Sequence, residues 1–97
     1  MTFKVYQAYW GKEKNPIDKL KPVILVEAEQ VGNLGTHEYN FTFDDELNLI
    51  NVEEIAYGDW WDWPLPVSPG SEEEALINKA REQARVWKEQ HQEAKHE

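Results

Sequence analysis

Glu38-Tyr39-Asn40-Phe41-Thr42-Phe43 alternates polar and aromatic residues without a break. Successive side chains of a strand point to opposite faces. This period of two therefore predicts a strand with Tyr39, Phe41 and Phe43 on one face and Glu38, Asn40 and Thr42 on the other. Such an apolar face needs a cover, and the C-terminus supplies a candidate. Ser71-Glu72-Glu73-Glu74 reads as a capping box, in which the Ser71 side chain accepts the Glu74 amide and Glu74 reaches back to Ser71. Three acids in the first turn suit the positive end of the helix dipole. Beyond them Leu76, Ala80, Ala84, Trp87, His91 and Ala94 step by three or four residues and form one stripe, bordered by Ile77. The stripe is strongly apolar only to Trp87, so residues 88–97 are expected to fray or project.

Working outward, Thr2–Trp10 is rich in strand formers. Phe3, Val5 and Tyr9 fall on one face and Tyr6, Ala8 and Trp10 on the other, a pattern that predicts a central strand. Asn15-Pro16 suits the start of a single helical turn, Ile17–Leu20, closed by Pro22. Val23–Gln30 reads as a strand that is apolar first and alternately acidic later. Gly32-Asn33-Leu34-Gly35 reads as a turn. Asp44-Asp45-Glu46 is a hairpin turn with Leu47–Ile55 returning. A helix over Asp45–Tyr57 is the competing reading, disfavoured by Ile50, Val52, Ile55 and the two asparagines. Segment 56–70, with two glycines and three prolines, is expected to be irregular. The expected fold is α+β: one domain over residues 1–97, an antiparallel sheet of about four strands, and one long C-terminal helix packed on it.

Ninety-seven residues suit a single domain, commonly about 100–150 residues. A chain of that size buries roughly 60–68% of its unfolded surface, enough for one core. There is no cysteine, which excludes disulfides, thiolate zinc sites and thiol nucleophiles. No apolar leader follows Met1, and the longest purely apolar run is Val23-Ile-Leu-Val26, far short of a membrane span. The expected location is the cytoplasm of the producing or host cell.

The charge distribution is uneven. The formal net charge is −9. No Lys or Arg occurs from Pro22 through Asn78, while thirteen acids do: Glu27, Glu29, Glu38, Asp44, Asp45, Glu46, Glu53, Glu54, Asp59, Asp62, Glu72, Glu73 and Glu74. Average usage would place about seven bases there. A polyanionic middle disfavours nucleic acid and anionic membranes, whose phosphates attract Lys and Arg. Its complement is a basic protein surface. The plainer account is an acidic face that only solubilises the chain, with Lys4–Lys21 folded against it.

The remaining motifs are weaker. Trp60, Trp61 and Trp63 cannot easily all face one core, so at least one is expected to be exposed as a binding anchor, or pinned under a loop. Pro66-Val67-Ser68-Pro69 matches PxxP without a basic flank and reads as a rigid linker. Asp44, Asp45 and Glu46 with Glu53 and Glu54 fit no EF-hand spacing, and His91 and His96 do not share a helix face, so no metal site is expected. No nucleophile elbow, P-loop or dinucleotide fingerprint occurs. Arg81 and Arg85 are expected on the solvent side of the helix, near Glu82 and Glu89. Neither catalysis nor a cofactor is expected.

In size, charge and lack of catalytic motifs the chain resembles phage-encoded inhibitors that mimic DNA, such as anti-CRISPR and anti-restriction proteins. It is also similar to immunity proteins that plug basic nuclease toxins. The resemblance is one of composition and assigns no residue roles. It implies an acidic interaction domain, monomer or homodimer, that occludes a basic surface on a nucleic-acid-handling protein. The expected contact residues are Glu38, Asp44, Asp45, Glu46, Glu53, Glu54, Asp59, Trp60, Trp61 and Asp62. Two alternatives stand beside it: an assembly module docking through the C-terminal helix, and a sugar or small-ligand binder using Trp60–Trp63.

Overall fold

The computed structural model describes residues 1–10, 21–33 and 35–95. The helical turn expected at Ile17–Leu20 lies outside them. Among the described residues five strands, β1 (Thr2–Trp10), β2 (Lys21–Gly32), β3 (Gly35–Phe43), β4 (Leu49–Ala56) and β5 (Asp59–Asp62), precede one helix, α1 (Glu72–Lys95). The strands form a single antiparallel sheet in the order β1-β2-β3-β4-β5, so each pairs with its neighbours in sequence. The fold is the expected α+β arrangement, with one strand more than the four expected. β5 lies inside the segment read as irregular. β1 is an edge strand, not a central one. Its outward-facing Tyr6 and Ala8 pair with Leu25 and Val23 of β2, an apolar patch on the face away from α1 that accounts for the two-sided pattern.

Register follows from the connections. Gly35, at φ 127°, lies directly opposite Gly32 and sets Glu29 against Glu38. Tyr57 (φ 55°) and Gly58 (φ 84°) make a two-residue turn with both central residues in the left-handed region, which matches the twist of paired strands. That turn brings Asp59–Asp62 back along β4, and it explains the strand that composition hid. Between β3 and β4 the Leu47 amide donates to the Asp44 carbonyl (3.0 Å) and the Asp44 amide to the Asn48 carbonyl (2.9 Å). Leu47 takes φ 67° there, and β4 begins two residues later than expected, at Leu49. A bulge between Thr42 and Phe43 absorbs Ile50.

The core lies between one sheet face and α1. Val26, Phe41, Phe43 and Val52 are its largest fully buried side chains. From the helix, Ala80 and Ala84 are 0% exposed, and Ile77, expected only to border the stripe, is 4% exposed and belongs to the core. Small side chains at 80 and 84 let the helix lie close over β1, β2 and β3. Leu76 and Trp87 flank the contact, and His91 is exposed, stacked on Trp87. The cap differs in one partner. Ser71 Oγ accepts the Glu74 amide (3.2 Å), but Glu74 accepts from the Gly70 amide (3.0 Å), because the Ser71 amide is taken by the Ser68 carbonyl. Arg85 pairs with Glu82 and Glu89, as expected. Arg81 instead turns inward. Its Nε donates to the Leu47 carbonyl (3.0 Å), and its guanidinium lies over the Phe43 ring at 5.6 Å.

If the close helix–sheet approach holds the core, Ala84→Leu overpacks it. The expected loss is about 1–3 kcal/mol. Exposed Gln83→Ala is expected to stay within about 0.5 kcal/mol of the parent. Thermal unfolding of the two variants checks the contrast.

Candidate interaction surface on the outer sheet face

Residues directly opposite in an antiparallel sheet share a face. One cross-strand row on the face away from α1 reads Lys4, Glu27, Asn40, Glu53, Asp62. The next reads Thr2, Glu29, Glu38, Ile55, Trp60. Strands lie about 4.8 Å apart and same-face residues along a strand about 6.7 Å, so five carboxylates on β2 to β5 occupy a patch roughly 14 Å long and one row spacing wide. Glu29 and Glu38 are directly opposed. Trp60 ends its row, 64% exposed. Towards the other end of the sheet the same face turns neutral, with Tyr6, Leu25, Thr42 and Asn51 in one row.

The only polar tie at these acids among the described residues runs from the Tyr6 hydroxyl, which donates to Glu27 Oε1 at 3.1 Å. Burial first, then the Glu27 hydrogen bond and charge, push the Tyr6 phenol above its ordinary value. Lys4 lies opposite Glu27, yet its ammonium sits over the Tyr6 ring at 5.9 Å. Among the described residues, the ion pairs are Arg85–Glu82 and Arg85–Glu89, and His37 meets Glu54 in a contact that is ionic only when the imidazole is protonated; none of them lies on this face.

The expected contact residues divide three ways. Glu38, Glu53, Trp60 and Asp62 come together on the outer face. Glu54, Asp59 and Trp61 lie on the helix side, since Glu54 pairs with Trp61 and Ala56 with Asp59. Asp44, Asp45 and Glu46 form the β3–β4 turn, at the end of the sheet away from the acidic rows. Glu27 and Glu29 join the outer-face group although they were outside the expected set. The alternation of Val26 and Ala28 with Glu27 and Glu29, carried across the Gly32–Gly35 turn, is the signal that points to them.

Asp44 has a structural task. Its Oδ1 accepts the amides of Asn48 (2.8 Å) and Glu46 (2.9 Å), its Oδ2 accepts from the Asn48 side chain, and Lys88 donates to the Asp45 carbonyl beside it. These donors, led by the Asn48 backbone N–H, hold the Asp44 carboxyl below its ordinary value. On the helix side Glu54 is the centre of a network. Its Oε1 accepts Trp63 Nε1–H at 2.6 Å and its Oε2 meets His37 Nε2 at 2.5 Å. His37 stacks on Tyr39 (4.9 Å), and Trp63 meets Tyr39 and Phe41 edge-on. Burial, and then the Glu54 charge, raise the Tyr39 phenol. Among the described residues no three His, Asp or Glu side chains cluster to hold a metal ion, and no helix is long and apolar enough to cross a membrane. No family model, curated protein or solved structure matches the chain.

A depressed folded value means that Asp44 contributes stability above its unfolded value of about 3.9, and that this contribution is lost as pH falls through the folded value. Asp44→Asn is therefore expected to be less stable than the parent near neutral pH. The gap should close below about pH 4. Urea midpoints of the two chains across that range test it; a gap constant with pH would reject the role.

Proposed function

We propose that this protein is an acidic interaction domain that occludes a basic, nucleic-acid-binding surface on another protein, in the cytoplasm of the producing or host cell. The observation that carries the reading is the pair of acidic rows formed by Glu27, Glu29, Glu38, Glu53 and Asp62. Like charges directly opposed, as at Glu29 and Glu38, weaken a sheet by roughly 0.2–1 kcal/mol. A partner carrying Lys and Arg at nucleic-acid spacing would relieve that repulsion and meet carboxylates where it otherwise meets phosphates. Trp60 at the rim supplies an exposed aromatic anchor.

The two alternatives have less support. The helix stripe of Leu76, Ala80, Ala84 and Trp87 packs on the chain's own sheet. Trp60 and Trp61 point to opposite faces of β5, so Trp60–Trp63 forms no single stacking platform.

Affinity capture from bacterial lysate at low salt, with three baits, tests the proposal. The native chain is expected to capture a nucleic-acid-handling protein that elutes as salt rises and is displaced by duplex DNA. A bait carrying Glu27→Lys, Glu38→Lys, Glu53→Lys and Asp62→Lys is expected to lose it. One carrying Asp45→Lys and Glu46→Lys at the distant turn is expected to keep it. Equal capture by the native and outer-face baits would reject the reading.

A further inference from the structure

On the helix side of the same sheet edge, Trp61 and Trp63 line a cleft of 360 Å³ together with Pro64, Pro66, Val67 and Ser68. Two carboxylates line it, Glu54 and Glu73, and no Lys or Arg does. Glu54 is well covered, its side chain 15% exposed, and its hydrogen bonds come from the indole N–H of Trp63 and the ring of His37. With His37 neutral, two carboxylates and no lining base give the cleft a negative potential, and shelter from water weakens its screening. The positive end of α1 lies nearby, but the three acids of its first turn outnumber that partial charge. Two of the lining residues, Trp61 and Trp63, are indoles. Trp61 is 43% exposed, so an indole surface is open to an incoming group. The volume is within the range of small-ligand sites, roughly 300–1,000 Å³.

We propose that this cleft binds a guanidinium group, the side chain of an arginine presented by the basic partner. A guanidinium is planar, stacks on indole, is weakly hydrated and offers forked donors to carboxylates. A carboxylate or phosphate would be repelled by Glu54 and Glu73. A neutral polar ligand would leave the negative potential unanswered. The inference rests on the reading that the partner is basic, and it adds the residue type recognised and a second contact around the β5 edge from Trp60.

The test is a titration of the intact chain with L-argininamide, followed by the Trp63 Nε1–H cross-peak in ¹H–¹⁵N spectra, with L-citrullinamide as the neutral isostere. A saturable shift with argininamide and none with citrullinamide is expected. Glu73→Gln and Trp61→Ala, at exposed positions, are each expected to weaken binding about three- to fivefold. Cross-peaks of β2 and β3 should be unchanged, showing that both variants fold. No saturable shift, an equal response to citrullinamide, or binding unaffected by both variants would overturn the proposal. Its failure is separable from failure of the outer-face reading. Partner capture without argininamide binding removes the cleft alone, and argininamide binding without capture removes the outer face alone.

Discussion

The contact of Ala80 and Ala84 with the Val26, Phe41 and Val52 side of the sheet decides where everything else goes. Two alanines at that contact bring the helix backbone close, and α1 then covers β1, β2 and β3. The flank over β4 and β5 is left to Trp63 and Val67, which pack against the same core. Once one face is committed to burial, the pleat sends every intervening residue to the other. Because the chain has no base between Pro22 and Asn78, what arrives there from that stretch is acidic or neutral, and Lys4 of β1 is the base beside it.

Magnitudes show how the fold tolerates this. Each fully buried large aliphatic or aromatic side chain contributes about 1.5–3 kcal/mol. Exposed like charges about 4 Å apart in water repel by about 1 kcal/mol, and salt screens them further. Phe41, Phe43, Val26 and Val52 therefore outweigh the opposition of Glu29 and Glu38 and the crowding of Glu53 with Asp62. Register is held by turns that carry their own backbone cost. Tyr57 and Leu47 both occupy the left-handed region without being glycine. Leu47 is held by core packing and by the hydrogen bond from Arg81 to its carbonyl. Tyr57 is exposed and has no comparable support from packing. Its neighbour Gly58 and the pairing of Ala56 with Asp59 close the turn around it.

Most of the frame was legible because it depends on local period. The alternation at Glu38–Phe43, the acidic alternation of β2 and the capped stripe of α1 each give their element directly. What escaped depends on partners distant in sequence. The β5 strand is four residues long and has aspartates at both ends, so its own composition argues against it; the Tyr57–Gly58 turn aligns it on β4. β1 looked central because it carries apolar groups on both faces, but its outer apolar residues meet those of β2. Arg81 looked solvent-facing on a helical wheel, and the β3–β4 turn pulled it inward. The acidic middle was visible as a quantity. Its division was not, since the pleat assigns acids to faces and only register shows which strands align them.

That division is sharpest at Glu53 and Glu54. They are adjacent in sequence and equal in charge, yet they belong to different surfaces. Glu53 lies on the outer face between Asn40 and Asp62, in a row open to a broad basic partner. Glu54 lies on the helix side between Tyr39 and Trp61, sheltered beneath indoles and bonded to Trp63 and His37. The outer row suits long-range, salt-sensitive attraction spread over many weak contacts. The inner carboxylate sits where water is partly excluded, and there a single well-shaped cation gains more per contact. One strand thus places a diffuse electrostatic surface and a directional one back to back at the same sheet edge. A partner that wraps β5 would engage both, steered by the first and oriented by the second.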